Sequence, residues 1–298
     1  MSEPPAPLRR RLEGLEEELG GVLGVAAHRL EAAARGEGRG AAPAGAVADA
    51  VAYRPEASFP AASTIKVFVL QALLERVAAA GIGLDDEVVL RGTDRVTGSG
   101  VLKALSPGRA YTVRDLATLM IVVSDNTATN LLIDRLGVGA VNDVIAAHGW
   151  RGTHLAGLLQ RPDLRAAGDA RVSTTSPRDL ADAFARLWRG ELLPPDLSEV
   201  ARGIYRRQQV TDLLGRYLPF DAYRTETGED RFVIASKYGA LRGVRHDAGV
   251  IDTGRNRYVV AVMTRGCPDE RFHPDNLAAL VVAKVSRILY EHFQPRAA

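Results

Sequence analysis

The chain has 298 residues, 46% hydrophobic and 25% charged, which is ample material for a buried core and the composition of an ordinary globular protein. Its 38 basic and 36 acidic residues leave a net charge of +2, too balanced to steer it towards nucleic acid or an anionic membrane. A single cysteine, Cys267, excludes an internal disulfide and any cysteine-based metal cage, and the scattered histidines form no H-E-x-x-H pair, so neither metal nor cofactor is expected.

No run reaches the about 18 apolar residues of a membrane span, so no membrane partner is expected either. The opening Met1-Ser2-Glu3-Pro4-Pro5-Ala6-Pro7 contains no apolar signal core. The expectation is a cytoplasmic chain as given, or a secreted one if its N-terminus was trimmed. Leu8, Leu12, Leu15 and Leu19 recur at helical spacing among charges, predicting a surface helix with one buried stripe. Val22 to Leu30 and Val47 to Tyr53 read as strands, joined by a Gly-, Ala- and Arg-rich stretch, 35–45, suited to a mobile hairpin loop.

Pro60 introduces the longest apolar segment, Ala61 to Ala80, apolar on nearly every face and therefore a buried central helix. Further helices are predicted over Val113 to Val123, Thr127 to Leu136, Val138 to His148, Pro177 to Trp188 and about Asp196 to Gln209. Three strands follow, Phe232 to Tyr238, Arg245 to Ile251 and Tyr258 to Thr264, and a helix from about Pro274 to His292 ends the pattern. Strands at both ends with helices between predict a mixed α/β (α+β) fold. In it, a five-stranded antiparallel sheet is flanked by the terminal helices and joined to an all-helical lobe. The expected division is a discontinuous domain, 1–59 with 210–298, and a helical domain, 60–209, with the site between them.

Three short motifs carry the chemistry: Ser63-Thr64-Ile65-Lys66, Ser124-Asp125-Asn126 and Lys237-Tyr238-Gly239-Ala240. Only Lys66, Lys103, Lys237 and Lys284 are lysine among the 38 basic residues, yet both flanking motifs use one. Arginine cannot lose its proton in a protein, whereas a desolvated lysine can and then acts as a base. Ser63 is expected in the first turn of the buried helix with Lys66 one turn deeper, so that the amine can activate the hydroxyl and the free N–H groups of the helix start can stabilise an oxyanion. Ser63 can equally serve as a helix-start cap. Asp125 or Asn126 can cap the following helix, alongside or instead of a chemical role. Lys237 is expected near a strand end, facing the serine or standing in water.

On these residues the chain resembles the class A β-lactamase-like serine hydrolases, whose pattern is S-x-x-K, S-D-N and K-T-G. Thr97-Gly98-Ser99-Gly100-Val101-Leu102, Tyr111-Thr112-Val113-Arg114-Asp115-Leu116, Asn126-Thr127-Ala128-Thr129-Asn130-Leu131 and Gly168-Asp169-Ala170-Arg171 extend the resemblance over most of the chain. It implies a β-lactamase/transpeptidase-like fold, with Ser63 as acylated nucleophile, Lys66 as proton acceptor and Ser124 as proton shuttle. Asn126 and Lys237 would bind substrate, and the N–H groups of Ser63 and Ala240 would hold the oxyanion. Two departures stand out. No Glu occurs between Glu87 and Glu191, and alignment places Gln160 where the family carries its deacylating glutamate. Asp163 is the nearest carboxyl, suited to a loop ion pair with Arg161 or Arg165. Tyr238 replaces a small hydroxyl residue that helps hold the substrate carboxylate, leaving Arg242, Arg245 or His246 to take that role.

The expectation is a monomeric hydrolase acting on a small molecule through a Ser63 acyl-enzyme, with slow deacylation of β-lactam-type amides. A D,D-peptidase-like or esterase activity, or a non-hydrolytic acyl-binding sensor, remains open at this point.

Overall fold

A computed structural model describes residues 3–30, 49–160, 172–221 and 232–294. The first helix, α1 (Ala6–Leu19), has a proline in its first turn and buries Leu8, Leu12 and Leu19, as its stripe predicts. Strands β1 (Val22–Arg29) and β2 (Ala50–Tyr53) follow; the loop read at 35–45 lies outside the described residues. At the other end come β7 (Val233–Leu241), β8 (Val244–Asp252), β9 (Arg257–Arg265) and the last helix, α8 (Leu277–Phe293). These five strands form one sheet in the order β2-β1-β9-β8-β7, every neighbouring pair antiparallel. The fold is the expected mixed one.

Both faces of that sheet are covered. Tyr258, Val260 and Val262 of β9 pack with Leu12, Val281 and Leu289 of the terminal helices. The alternate Val259, Ala261 and Met263 belong to a second cluster shared with the central helices. A period of two thus sends successive side chains into two different cores.

Between the sheet's two halves run α2 (Lys66–Ala78), α3 (Val113–Val122), α4 (Asn126–Leu136), α5 (Val138–Ala147), α6 (Pro177–Arg189) and α7 (Pro195–Arg206). Every residue of α2 from Lys66 to Leu74 is buried. Fully burying one apolar side chain contributes about 1.5–3 kcal/mol, so Phe68, Val69, Leu70, Leu73 and Leu74 together can hold a lysine out of water. Here one expectation is corrected. The α-helix does not start at Ala61; a 3₁₀ turn, Ala62–Ile65, precedes it and carries Ser63, with Ala62 at a positive φ of 48°.

Four short strands add to the predicted set. β4 (Glu87–Val89) pairs β5 (Ala110–Thr112), and β3 (Phe59–Pro60) pairs β6 (Thr174–Thr175). The second pair ties the chain just before Ser63 to the segment leading into α6.

Candidate active site

Ser63 is held in place from three sides. Thr64 turns its hydroxyl back on Ala61 O at 2.6 Å, and Ala61 N donates to Ser173 O at 2.7 Å. The neutral His246 ring of β8 donates from Nε2 to Pro60 O at 2.8 Å and accepts the Thr264 N–H on Nδ1 at 3.1 Å. Burial drives the His246 pKa down to about 4, consistent with this neutral form. From the fourth direction β7 closes in: a Cβ on Gly239 would stand 3.1 Å from both Ser63 N and Thr64 N. Glycine is what lets the strand approach the turn so closely. His246, read from sequence as a candidate for the carboxylate, is instead a buried bolt between β8 and the nucleophile turn.

Lys66 enters the same place from below. Its Nζ donates to Ser124 O at 2.7 Å, Ser124 Oγ at 3.0 Å and Asn126 Oδ1 at 2.8 Å, which uses three donors. Burial pulls its pKa well below the ordinary 10.5, the Lys237 charge pushes the same way, and the Asp125 charge opposes both. Burial therefore makes the neutral amine easier to reach than it would be in water. The spacing Ser-x-x-Lys is thus realised with the amine facing the second motif.

That second motif is shaped by its middle residue. Ser124 sits at a positive φ of 55°, outside the common region for a residue with a side chain. Asp125 fixes it there, capping α4 through Oδ1 on Ala128 N at 3.0 Å and accepting Val101 N and Leu102 N on Oδ2 at 2.6 and 2.8 Å. The loop read as Thr97-Gly98-Ser99-Gly100 wraps the turn: Ser99 Oγ donates to Ser124 O, and Asn126 Nδ2 donates to Thr97 O. Gly98, at φ 89°, leaves room for the Asn126 amide, which a Cβ would meet at 2.4 Å. Capping and site-building are one job here.

Lys237 lies in the middle of β7, fully buried, and not at a strand end in water. Its Nζ donates to Tyr238 O at 2.8 Å and stands 4.1 Å from the centre of the Tyr238 ring. Burial lowers its pKa and raises that of the buried Asp247, each charge working against the shift of the other. Burial also raises the Tyr238 phenol, while a hydrogen bond with Ser124 works the other way.

Ser63, Asn126, Gln160, Tyr238 and Ala240 line one cavity of about 460 Å³, a size suited to a small molecule. Gln160 is exposed there, at a φ of 55°, and the loop before it is pinned by Asn130, which exchanges two 2.8 Å hydrogen bonds with the Leu159 backbone. Asp163, Arg161 and Arg165 lie outside the described residues. Arg245 does not line the cavity; its guanidinium donates to Leu241 O, Val244 O and Arg271 O. Arg242 is exposed and paired with Glu270 at 3.5 Å. Sequence reasoning missed the buried Asp247, whose charge acts on Lys237, and Phe272 and Leu241 as cavity wall. A polar residue inside an otherwise apolar strand, as in Arg245-His246-Asp247, was the available signal for the first.

Known proteins share this chain's sequence pattern and fold. The sequence model of the β-lactamase enzyme family matches residues 8–293. A β-lactamase of Streptomyces albus G is 31% identical, the match covering 95% of this chain and 83% of the relative. The crystal structure of a β-lactamase from Sphaerobacter thermophilus superposes with a TM-score of 0.77 at 32% identity, covering 94% of both chains. A mutant of PBP-A, solved as an acyl-enzyme complex with penicillin G, superposes with a TM-score of 0.76 at 28% identity, covering 98% of each. Sequence and fold agree from the first helix to the last, and the chain belongs to the β-lactamase enzyme family of serine hydrolases.

Proposed function

We propose that the protein forms an acyl-enzyme on Ser63 with β-lactam-type amides and releases it slowly. The site would lie between two lobes, 1–59 with 210–298 and 60–209. The observation that carries the first half is Lys66, buried, depressed in pKa and bonded to Ser124 and Asn126. The amine takes the Ser63 proton as Oγ attacks the carbonyl carbon. The N–H groups of Ser63 and Ala240 receive the negative charge on the carbonyl oxygen. As the C–N bond breaks, the proton passes through Ser124 to the leaving nitrogen, while Asn126 orients the amide. Relatives named as β-lactamases, and the neighbour solved as a penicillin acyl-enzyme, support this substrate chemistry.

The second half rests on the cavity lining, which contains Gln160 but no Asp or Glu among the described residues. Releasing the acyl group requires water to lose a proton as its oxygen bonds the carbonyl carbon and the Oγ–C bond breaks. An amide can orient that water but cannot accept its proton. Stopped-flow hydrolysis of a chromogenic cephalosporin should show a burst followed by a slow steady rate. Gln160→Glu should raise the steady rate by about 10²–10⁴-fold, the usual scale of a positioned base, with a similar burst. Fast linear turnover by the parent would refute the slow-release reading.

A further inference from the structure

We infer that Phe272 is a specificity-determining residue, which with Leu241 forms an apolar clamp on the cavity wall for an aromatic group of the acyl donor. The inference rests on the acyl-enzyme reading of Ser63 and names a feature of its substrate.

Phe272 lies between β9 and α8 and lines the same cavity as Ser63. At 67% it is the most exposed large apolar side chain among the described residues. Its backbone is nevertheless pinned. Arg271 O accepts Arg245 NH2 at 2.5 Å and Asn276 Nδ2 at 3.0 Å, while the Asp269 carboxylate accepts Arg271 N at 3.1 Å and Leu277 N at 2.9 Å. The ring is held too, with the Arg245 guanidinium 4.7 Å from its centre. That guanidinium also donates to Leu241 O at 2.7 Å, at the end of β7, and Leu241 is a second exposed apolar residue of the cavity wall. One buried arginine thus fixes two apolar side chains from separate segments beside the catalytic serine.

An apolar ring in water gains by covering, and a ring already fixed in place loses little freedom when a ligand covers it. An aromatic group is the best match, because ring pairs attract beyond the area they bury. Apolar pocket contacts discriminate between substrates by about 10–200-fold even for one methylene, so a phenyl group held by Phe272 and Leu241 should be preferred at least tenfold.

The test uses two matched pairs of thioesters. One pair varies the acyl group, phenylacetyl against acetyl, on a common thiol; the other varies the leaving thiol, 2-phenylethanethiol against ethanethiol, on a common acyl group. The second-order rate constant of thiol release by the full chain reads acylation alone, however slow the later release. In at least one pair the phenyl donor should react at least tenfold faster than its small counterpart. Phe272→Ala, a change at an exposed position, should slow that phenyl donor at least tenfold and the small one less than threefold, and Phe272→Tyr should keep the preference. Equal slowing of both members, or a preference unchanged by Phe272→Ala in both pairs, overturns the inference. Thioesters that do not react while benzylpenicillin still forms an adduct on Ser63 overturn it alone, leaving the acyl-enzyme reading intact. No reaction with any of these donors overturns both.

Discussion

Asp125 is the residue whose loss separates the scaffold of the site from its chemistry. It is 1% exposed, and its two carboxyl oxygens accept three backbone N–H groups: Ala128 at the start of α4, and Val101 and Leu102 in the facing loop. In Asp125→Ala all three donors lose their partner. Each orphaned donor costs roughly 1–2 kcal/mol, giving about 3–6 kcal/mol in all, a large share of the 5–15 kcal/mol typical of a folded domain. Asp125→Asn keeps one acceptor and turns an N–H₂ towards the other donors, so it should lose about 1–3 kcal/mol. Urea or thermal unfolding would rank the parent above Asn and Asn above Ala. At a temperature where Asp125→Ala remains folded, acylation should still fall at least about tenfold, because Ser124 and Asn126, which hold the Lys66 amine, are no longer fixed. An alanine variant within about 1 kcal/mol of the parent would refute the account of how this turn is built.

Lys66→Arg keeps the charge but removes the ability to give up a proton, so acylation should fall at least about a hundredfold. In the parent, acylation should rise with pH along a limb well below 10.5, since burial and Lys237 lower the Lys66 pKa; a limb at the ordinary lysine value would contradict the role of burial. His28 is held at a pKa of about 4, against an ordinary 6.5, by burial and by Arg189, whose guanidinium donates to Nε2 at 3.3 Å. With the folded value below the unfolded one, its contribution is intact above about 6.5 and is lost as pH falls towards 4, on the order of 3 kcal/mol at the lower end. His28→Gln should flatten the pH profile of stability by that amount in this window, and parallel profiles would count against it.

Much of this fold is legible in the sequence because its patterns are long. The Leu8-Leu12-Leu19 stripe, the unbroken apolar run of α2 and the apolar strands before and after the helices each repeat over two turns or more, enough for periodicity to decide. The 3₁₀ turn at Ser63 was not legible. It depends on a positive φ at Ala62, and alanine gives no sign of that conformation. The two-residue strands β3 and β6 are too short to show any period, yet they position the chain before Ser63.

Within the site, the order of the motifs identified the residues that meet, and Lys66, Ser124 and Asn126 do meet. What the sequence could not tell is which charged residues remain free. Arg245 and His246 read as candidates to hold a carboxylate, but β8 is covered on both faces, so both are buried and hydrogen-bonded within the fold. The same holds for Tyr238, whose identity announces a departure from the usual motif but not that its ring would lie against Lys237.

The claim on which all else depends is that Ser63 carries the acyl group. Intact-mass spectrometry after exposure to a penicillin or an activated ester measures it directly. The account predicts one adduct on the parent, mapped to the peptide containing Ser63, and none on Ser63→Ala. An adduct of equal amount on Ser63→Ala, or on a peptide elsewhere in the parent, would contradict it.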